Sequence, residues 1–161
     1  MAGDGYTTSG KALTDLILET FRLNGRLLLA GDRLVASVGL SSARWQVMGA
    51  IHFAHAPQPV SWLARSMGLN RQGVQRIVNE LEAEGFVEFR PNPHHRRAHL
   101  VLLTRKGEAA YAAAQRLQTP WVNALAKGLR AEEIKAVLGV LETLRARLEQ
   151  DLAAGLRDDE P

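Results

Sequence analysis

The sequence predicts a mainly α-helical chain with a small two- to three-stranded β-wing past its middle. Three observations lead there. Apolar residues recur at steps of three and four near both ends of the chain, over 11–38 and 131–154. The pattern changes to short strand-like runs around 86–89 and 98–103. Between these regions, Pro57, Pro59, Gly68, Gly85, Pro91 and Pro93 cut the centre of the chain into short pieces.

The first helix is expected over 11–38, carrying Leu13, Leu16, Ile17, Phe21, Leu23, Leu27, Leu34 and Val38 on one side. Gly25 and Gly31 weaken it and open it to a bend. A second helix over about 42–55, capped by Ser41 or Ser42, carries Trp45, Val47, Met48 and Ile51, and the stretch 56–59 (APQP) stops it. Ser61 is placed to cap a short third helix over 61–67, which Gly68 ends with Leu69 as an apolar plug. Asn70 caps a fourth helix over 71–84, and Gly85 closes it in the left-handed conformation. Phe86, Val87 and Phe89 read as one strand and 98–103 as its partner, with 91–97 as the tip between them. Thr104 caps a fifth helix from Arg105 that Pro120 breaks or kinks. The last helix, over about 131–154, carries Ile134, Val137, Leu138, Leu141, Leu144, Leu148 and Leu152. A helix-turn-helix followed by a β-ribbon is a winged helix, here flanked by long terminal helices that call for a partner surface.

Composition narrows the function. The chain of 161 residues is 46% hydrophobic and 23% charged, a balance that suits one folded domain, or a small module with an oligomerisation element. No apolar run is long enough to span a membrane, and the polar start MAGDGYTTSG does not read as a secretory signal, so the cytoplasm is expected. The absence of cysteine excludes disulfides, thiol catalysis and thiolate metal sites. The net charge of +3 is modest, but between Arg65 and Lys106 eight basic residues face four acids. A basic centre between more neutral arms is the footprint of a nucleic-acid module.

The stretch 61–86 (SWLARSMGLNRQGVQRIVNELEAEGF) carries the function. Leu63 and Ala64 face inward, and the small side chain at 64 lets two helices cross closely. Val74, Ile77, Val78 and Leu81 form the buried stripe of the next helix, while Arg71, Gln72, Gln75, Arg76 and Asn79 occupy its other face. A recognition helix needs this division, with one face fixed to a scaffold and one reaching into the major groove. Arginine can grip guanine, and glutamine or asparagine can grip adenine, through paired hydrogen bonds. The first turn, at Arg71, Gln72 and Gln75, is expected to go deepest, with Asn70 before it as a further DNA contact. The tip His94-His95-Arg96-Arg97 is the second site, since arginine on a ribbon can enter a narrow minor groove. The bland reading of both is a solvated surface. The agreement of turn, caps and wing argues for the sharper one.

The segments LARSMGLNRQGVQRIVNELEAEGFVEF and NPHHRRAHLVLLTRKG resemble the MarR family of winged helix-turn-helix transcriptional regulators, and the likeness extends over about 11–154. The resemblance implies a homodimer formed by interlocked terminal helices, binding a pseudo-palindromic double-stranded DNA operator, most often to repress. It implies that Arg71, Gln72, Gln75 and Arg76 read bases or phosphates and that Arg97 reaches the minor groove. It also implies release by a small aromatic or amphipathic effector held near Trp45, with no cofactor. Leu13, Leu16, Ile134, Leu138, Leu141, Leu144 and Leu148 would make the dimer. The chain then divides into a leader at 1–10, dimerisation segments at 11–40 and 105–155, a DNA-binding lobe at 41–104 and an acidic tail at 156–161. Two positions depart from the family. His95 stands where an aspartate often orients the wing arginine, which leaves Arg97 without that anchor, although a protonated His95 could itself meet a phosphate. Gly73 stands where a hydroxyl residue is frequent, at about 1 kcal/mol in helix propensity relative to alanine.

Other functions fare less well. His52 with His55, and His95 with His99, have spacings that could seed a metal site, yet no carboxylate sits at ligand spacing in the sequence. No glycine-rich phosphate loop, nucleophile elbow or HExxH points to an enzyme. Trp45, Trp62 and Trp121 read first as core residues. The alternatives to a DNA-binding regulator are a winged-helix protein-interaction module, against which the basic centre argues, and a metal-responsive regulator.

Overall fold

A computed structural model describes the backbone of residues 5–158 and the side chains of residues 5–154. Residues 1–4 of the expected leader and 159–161 of the acidic tail lie outside the described residues. The chain divides into two units, Met1–Thr119 and Pro120–Pro161.

The first unit opens with helix α1, Thr8–Val35, which begins where Thr7 accepts a hydrogen bond from Gly10 N–H. It runs on through Gly25 and Gly31 as one helix. Gly31 is explained by proximity rather than bending, because a Cβ there would stand 2.7 Å from Ser42 Oγ. A 3-10 turn, Ala36–Val38, leads to α2, Ser42–His52. Two groups cap α2: Ser41 Oγ accepts from Arg44 N–H at 3.3 Å, and Asp32 of α1 accepts from Ser42 N–H at 2.7 Å. The helix ends at His52, short of the expected 55.

The stretch read as a plain stop contributes a strand. Gln58–Pro59 forms β1, pairing antiparallel with β3, Leu100–Leu103, which also pairs with β2, Val87–Arg90. The sheet order is β1-β3-β2, and Phe89 stands opposite Val101. Proline is tolerated in β1 because it is an edge strand. Helix α3, Val60–Ser66, follows directly and takes Pro59 as its N-cap residue, so Ser61 lies inside the helix and does not cap it. Proline's fixed φ suits that entry, and the missing side-chain cap is the cost.

Helix α4, Arg71–Ala83, follows the expected turn at Gly68, whose φ of +65° lies in the left-handed region. Leu69 is half exposed, so it is not the plug the sequence suggested; only its N–H turns inward, onto Ala64 O at 2.9 Å. The core gathers Val35, Val47, Met48, Val60, Leu63, Ala64, Val74, Val78, Leu81, Phe86, Val87, Val101, Tyr111 and Ala114, with Trp45 and Ile77 packed against it. Trp62 is exposed and is not among the residues of this core, against the expectation that it packs there.

Helix α5, Arg105–Leu125, starts at Thr104, whose Oγ1 accepts from Gly107 N–H at 3.1 Å. Its residue Tyr111 is buried over Gly49 of α2, and burial pushes the phenol above its ordinary value. Pro120 lies inside α5 and does not end it, although its ring removes the donor that would reach Arg116 O. The second unit contains the end of α5 and α6, Ala131–Asp158. Along α6, Ile134, Leu138 and Leu148 are exposed, whereas Leu141 and Leu144 are half-buried.

Candidate nucleic-acid interface

Helix α4 is fixed from behind and from both ends. Val74, Val78 and Leu81 are 1%, 0% and 0% exposed, which holds one side of the helix in the core. Asn70 Oδ1 accepts from Gly73 N–H at 2.7 Å, satisfying one of the free donors of the first turn. The expected cap is therefore present, and it ends on the unusual glycine.

The opposite side is open. Arg71, Gln72, Arg76 and Asn79 are exposed and Gln75 is half-buried. With Glu80 and Ala83 they form one open polar face along the helix. Gln75 Nε2 donates to Asn79 Oδ1 at 2.8 Å, and Arg76 Nη1 donates to Glu80 Oε1 at 3.0 Å. An exposed i,i+4 pair of that kind is worth only about 0.3–0.5 kcal/mol, so a phosphate could displace the carboxylate. Among the described residues, no carboxylate lies within ion-pairing distance of Arg71, Arg96 or Arg97.

The wing tip is braced by Asn92, a tip residue whose bracing contacts the sequence did not show. Asn92 Nδ2 donates to Ala98 O at 3.0 Å, and its Oδ1 accepts from His94 N–H at 3.0 Å. His95 adds two backbone bonds, donating to Asn92 O at 3.3 Å and accepting from Ala98 N–H at 3.0 Å. All four tip residues, His94, His95, Arg96 and Arg97, remain exposed. Arg97 lines a cleft of about 230 Å³ with Pro59, Ser61, Arg71, Gln75 and His99. The fold thus brings the wing arginine and the first turn of α4 to one concavity, and β1 forms part of its wall.

The far end of α4 is closed by Gly85, as expected, and is held by contacts from Thr104, Lys106 and Arg44 that no local pattern in the sequence announces. Gly85 takes φ +76°, and Phe86 N–H reaches back to Leu81 O at 2.8 Å. Thr104 donates its hydroxyl to Gly85 O at 2.7 Å while capping α5. Lys106 Nζ donates to Glu84 O at 2.6 Å and stands 4.5 Å from the centre of the Phe86 ring. A cation there suits both the carbonyl end of a helix and an aromatic face. Arg44 of α2 lies 5.7 Å from the same ring centre. Its Nη2 is 2.6 Å from Glu84 Oε1, paired in charge although the N–H does not point along the contact. Gly107 is required by proximity, since a Cβ would fall 2.0 Å from Phe86 O.

The remaining candidates separate. His52 Nδ1 lies 3.3 Å from Glu108 Oε2 and its ring 4.7 Å from that of Tyr111. The fold therefore supplies a carboxylate that the local spacing of His52 and His55 lacked. Among the described residues, no group of three or more His, Asp or Glu side chains is placed to hold a metal ion. Nor is any described helix long and apolar enough to cross a membrane.

A helix anchored through its apolar side, with polar residues outward and an arginine-tipped β-ribbon beside its first turn, defines a winged helix-turn-helix protein. The MarR family model matches residues 38–98. An uncharacterized protein of Mycobacterium tuberculosis is 37% identical over 98 residues, covering 61% of this chain and 67% of the relative. The transcriptional repressor CouR, bound to a 23-mer DNA duplex, superposes with a TM-score of 0.72 at 25% identity, covering 88% of this chain and 99% of CouR. A MarR variant from E. coli, complexed with operator DNA, gives 0.67 at 26% identity over 82% of this chain and 97% of that one. The chain belongs to the MarR family and has the fold of its transcriptional regulators.

Proposed function

We propose that the protein is a homodimeric, sequence-specific DNA-binding regulator that represses from a pseudo-palindromic operator. The observation that carries this reading is the single concavity shared by Arg71, Gln75 and Arg97, next to the open polar face of α4. Arg71, Gln72, Gln75, Arg76 and Asn79 enter the major groove, with Asn70 at its edge. Arg97 enters the flanking minor groove, with His94, His95 and Arg96 along the backbone. Both solved DNA complexes above support the placement by their fold and bound duplex.

The dimer forms through the apolar faces of α1 and α6, including Leu13, Leu16, Ile134, Leu138, Leu141, Leu144 and Leu148. Segments 11–40 and 105–155 serve that role, and 41–104 is the DNA-binding lobe. Exposed leucines in number are what a folded chain avoids unless another surface covers them. A small aromatic or amphipathic effector near Trp45 releases the operator by favouring a different spacing of the two lobes.

The test is selection from a random pool of short duplexes at two salt concentrations, with sequencing of the bound fraction. Enrichment of a two-fold symmetric motif, with half-sites about 10 base pairs apart and affinity that falls steeply with salt, is the expected result. Weak binding without enrichment would favour a protein-interaction module instead.

A further inference from the structure

Three of the five histidines, His94, His95 and His99, fall within six residues of the wing, and all three are exposed. The charged groups around them are nearly all basic. Arg96 and Arg97 share the tip, and Arg71 of α4 lines the cleft that also holds Arg97 and His99. From β2 come Arg90 and Glu88. Glu88 is already committed to Arg90, with Nε and Nη2 at 2.7 and 2.5 Å from the same oxygen. The β1–α3 side contributes only Pro59, Val60 and Ser61. His99 lies beside Phe89, the ring centres 6.3 Å apart. Segment 91–99 contains no carboxylate at all. A proton gained by these imidazoles therefore has no internal anion to meet, and an incoming phosphate is the counter-charge the surface lacks.

Resting on the DNA-binding reading, we propose that the wing histidines are conditional phosphate contacts that make operator affinity depend on pH. An ordinary imidazole changes charge between about pH 5 and 8. A group whose charged form is favoured in the complex takes up a proton on binding, so affinity rises as pH falls through that window. Arg96 and Arg97 are the fixed cations of the tip, and the three imidazoles add to them only when protonated.

The experiment measures how operator affinity depends on salt at pH 6 and pH 8, using a duplex taken from the random-pool selection. Each added phosphate contact steepens the slope of log affinity against log salt by about 0.9. The wild type is expected to show a steeper slope and tighter binding at pH 6. The triple variant His94→Gln, His95→Gln, His99→Gln should bind at both pH values with the wild type's pH 8 slope. His52→Gln with His55→Gln should keep the wild-type pH dependence. Equal slopes in the wild type at the two pH values, or pH dependence that survives the triple variant, would overturn the proposal. Failure to select any duplex would instead overturn the DNA-binding reading beneath it. The three replaced side chains are exposed, so unfolding does not confuse the comparison, and a thermal melt of the variant checks this.

Discussion

Helices α4 and α6 look alike as strings of apolar residues and differ in what covers them. On α4, Val74, Val78 and Leu81 are essentially inaccessible, sealed by α2, α3 and the sheet. On α6, Ile134, Leu138 and Leu148 keep about half of their surface, at 46%, 52% and 53%. Periodicity reports that a helix has an apolar side but not whose surface it meets. The first helix is complete within one chain. The second has the character of half an interface, and the proposed dimer is its other half.

The largest expected effect tests that second half. Replacing Leu141 and Leu144 together with glutamate should give a protein that sediments as a monomer or fails to fold, and that loses the two-site operator complex. A stable dimer after the double change would remove α6 from the interface. Next comes Leu81→Ala within the covered helix. Emptying a fully buried leucine site should lower unfolding free energy by about 2–5 kcal/mol in chemical denaturation. A loss below about 1 kcal/mol would mean that the lobe collapses around the gap and that α4 is less firmly set than its burial indicates.

The outward face of α4 should respond in the opposite sense, with binding changed and stability kept. Arg71→Ala is expected to weaken operator binding by about 1–3 kcal/mol and relax discrimination at one base position, with the melt unchanged. Uniform loss over all sequences would mark Arg71 as a phosphate contact. A shifted melt would mean that the open cleft with Arg97 is also a structural joint.

What was legible in the sequence follows the range of the interactions. The caps at Asn70 and Thr104, the turn at Gly68 and the left-handed Gly85 were readable because each acts on backbone within a few residues. The polar and apolar faces of α4 were readable for the same reason. Strand β1 was missed because two residues, one of them proline, show no alternation, and their partner Val101 lies far along the chain. The Ser61 cap failed because β1 delivers the chain to α3 at Pro59, two residues earlier. Asn92, Arg44, Glu108 and Gly107 act across loops or between elements, so their types alone gave no sign of their partners. Within the candidate site, the residue types of α4 and the wing were readable. The cleft that joins them was not, since it depends on how β1, β3 and α4 meet.

Lys106 gives the finest test of how the two ends of α4 differ. Its ammonium sits on Glu84 O and over Phe86, joining the C-terminal end of the helix to α5 from 22 positions away. Lys106→Met keeps most of the apolar stem and removes the charge. A cation at a helix C-terminus is worth about 0.3–1 kcal/mol, and an exposed cation–π contact about 0.5–1 kcal/mol. The free protein should therefore lose roughly 1 kcal/mol of stability at low salt, and less at high salt, where screening has already weakened the charge. Because the measurement is made without DNA, a phosphate contact by Lys106 could not produce this pattern. Unaltered stability at low salt would show that Gly85, Thr104 and the Arg44–Glu84 pair hold this end by themselves. Asn70→Ala at the other end is then the informative partner. It removes the only side-chain cap of the first turn, and a loss of about 1 kcal/mol there beside none at Lys106 would place the weak point of α4 at the end that carries Arg71.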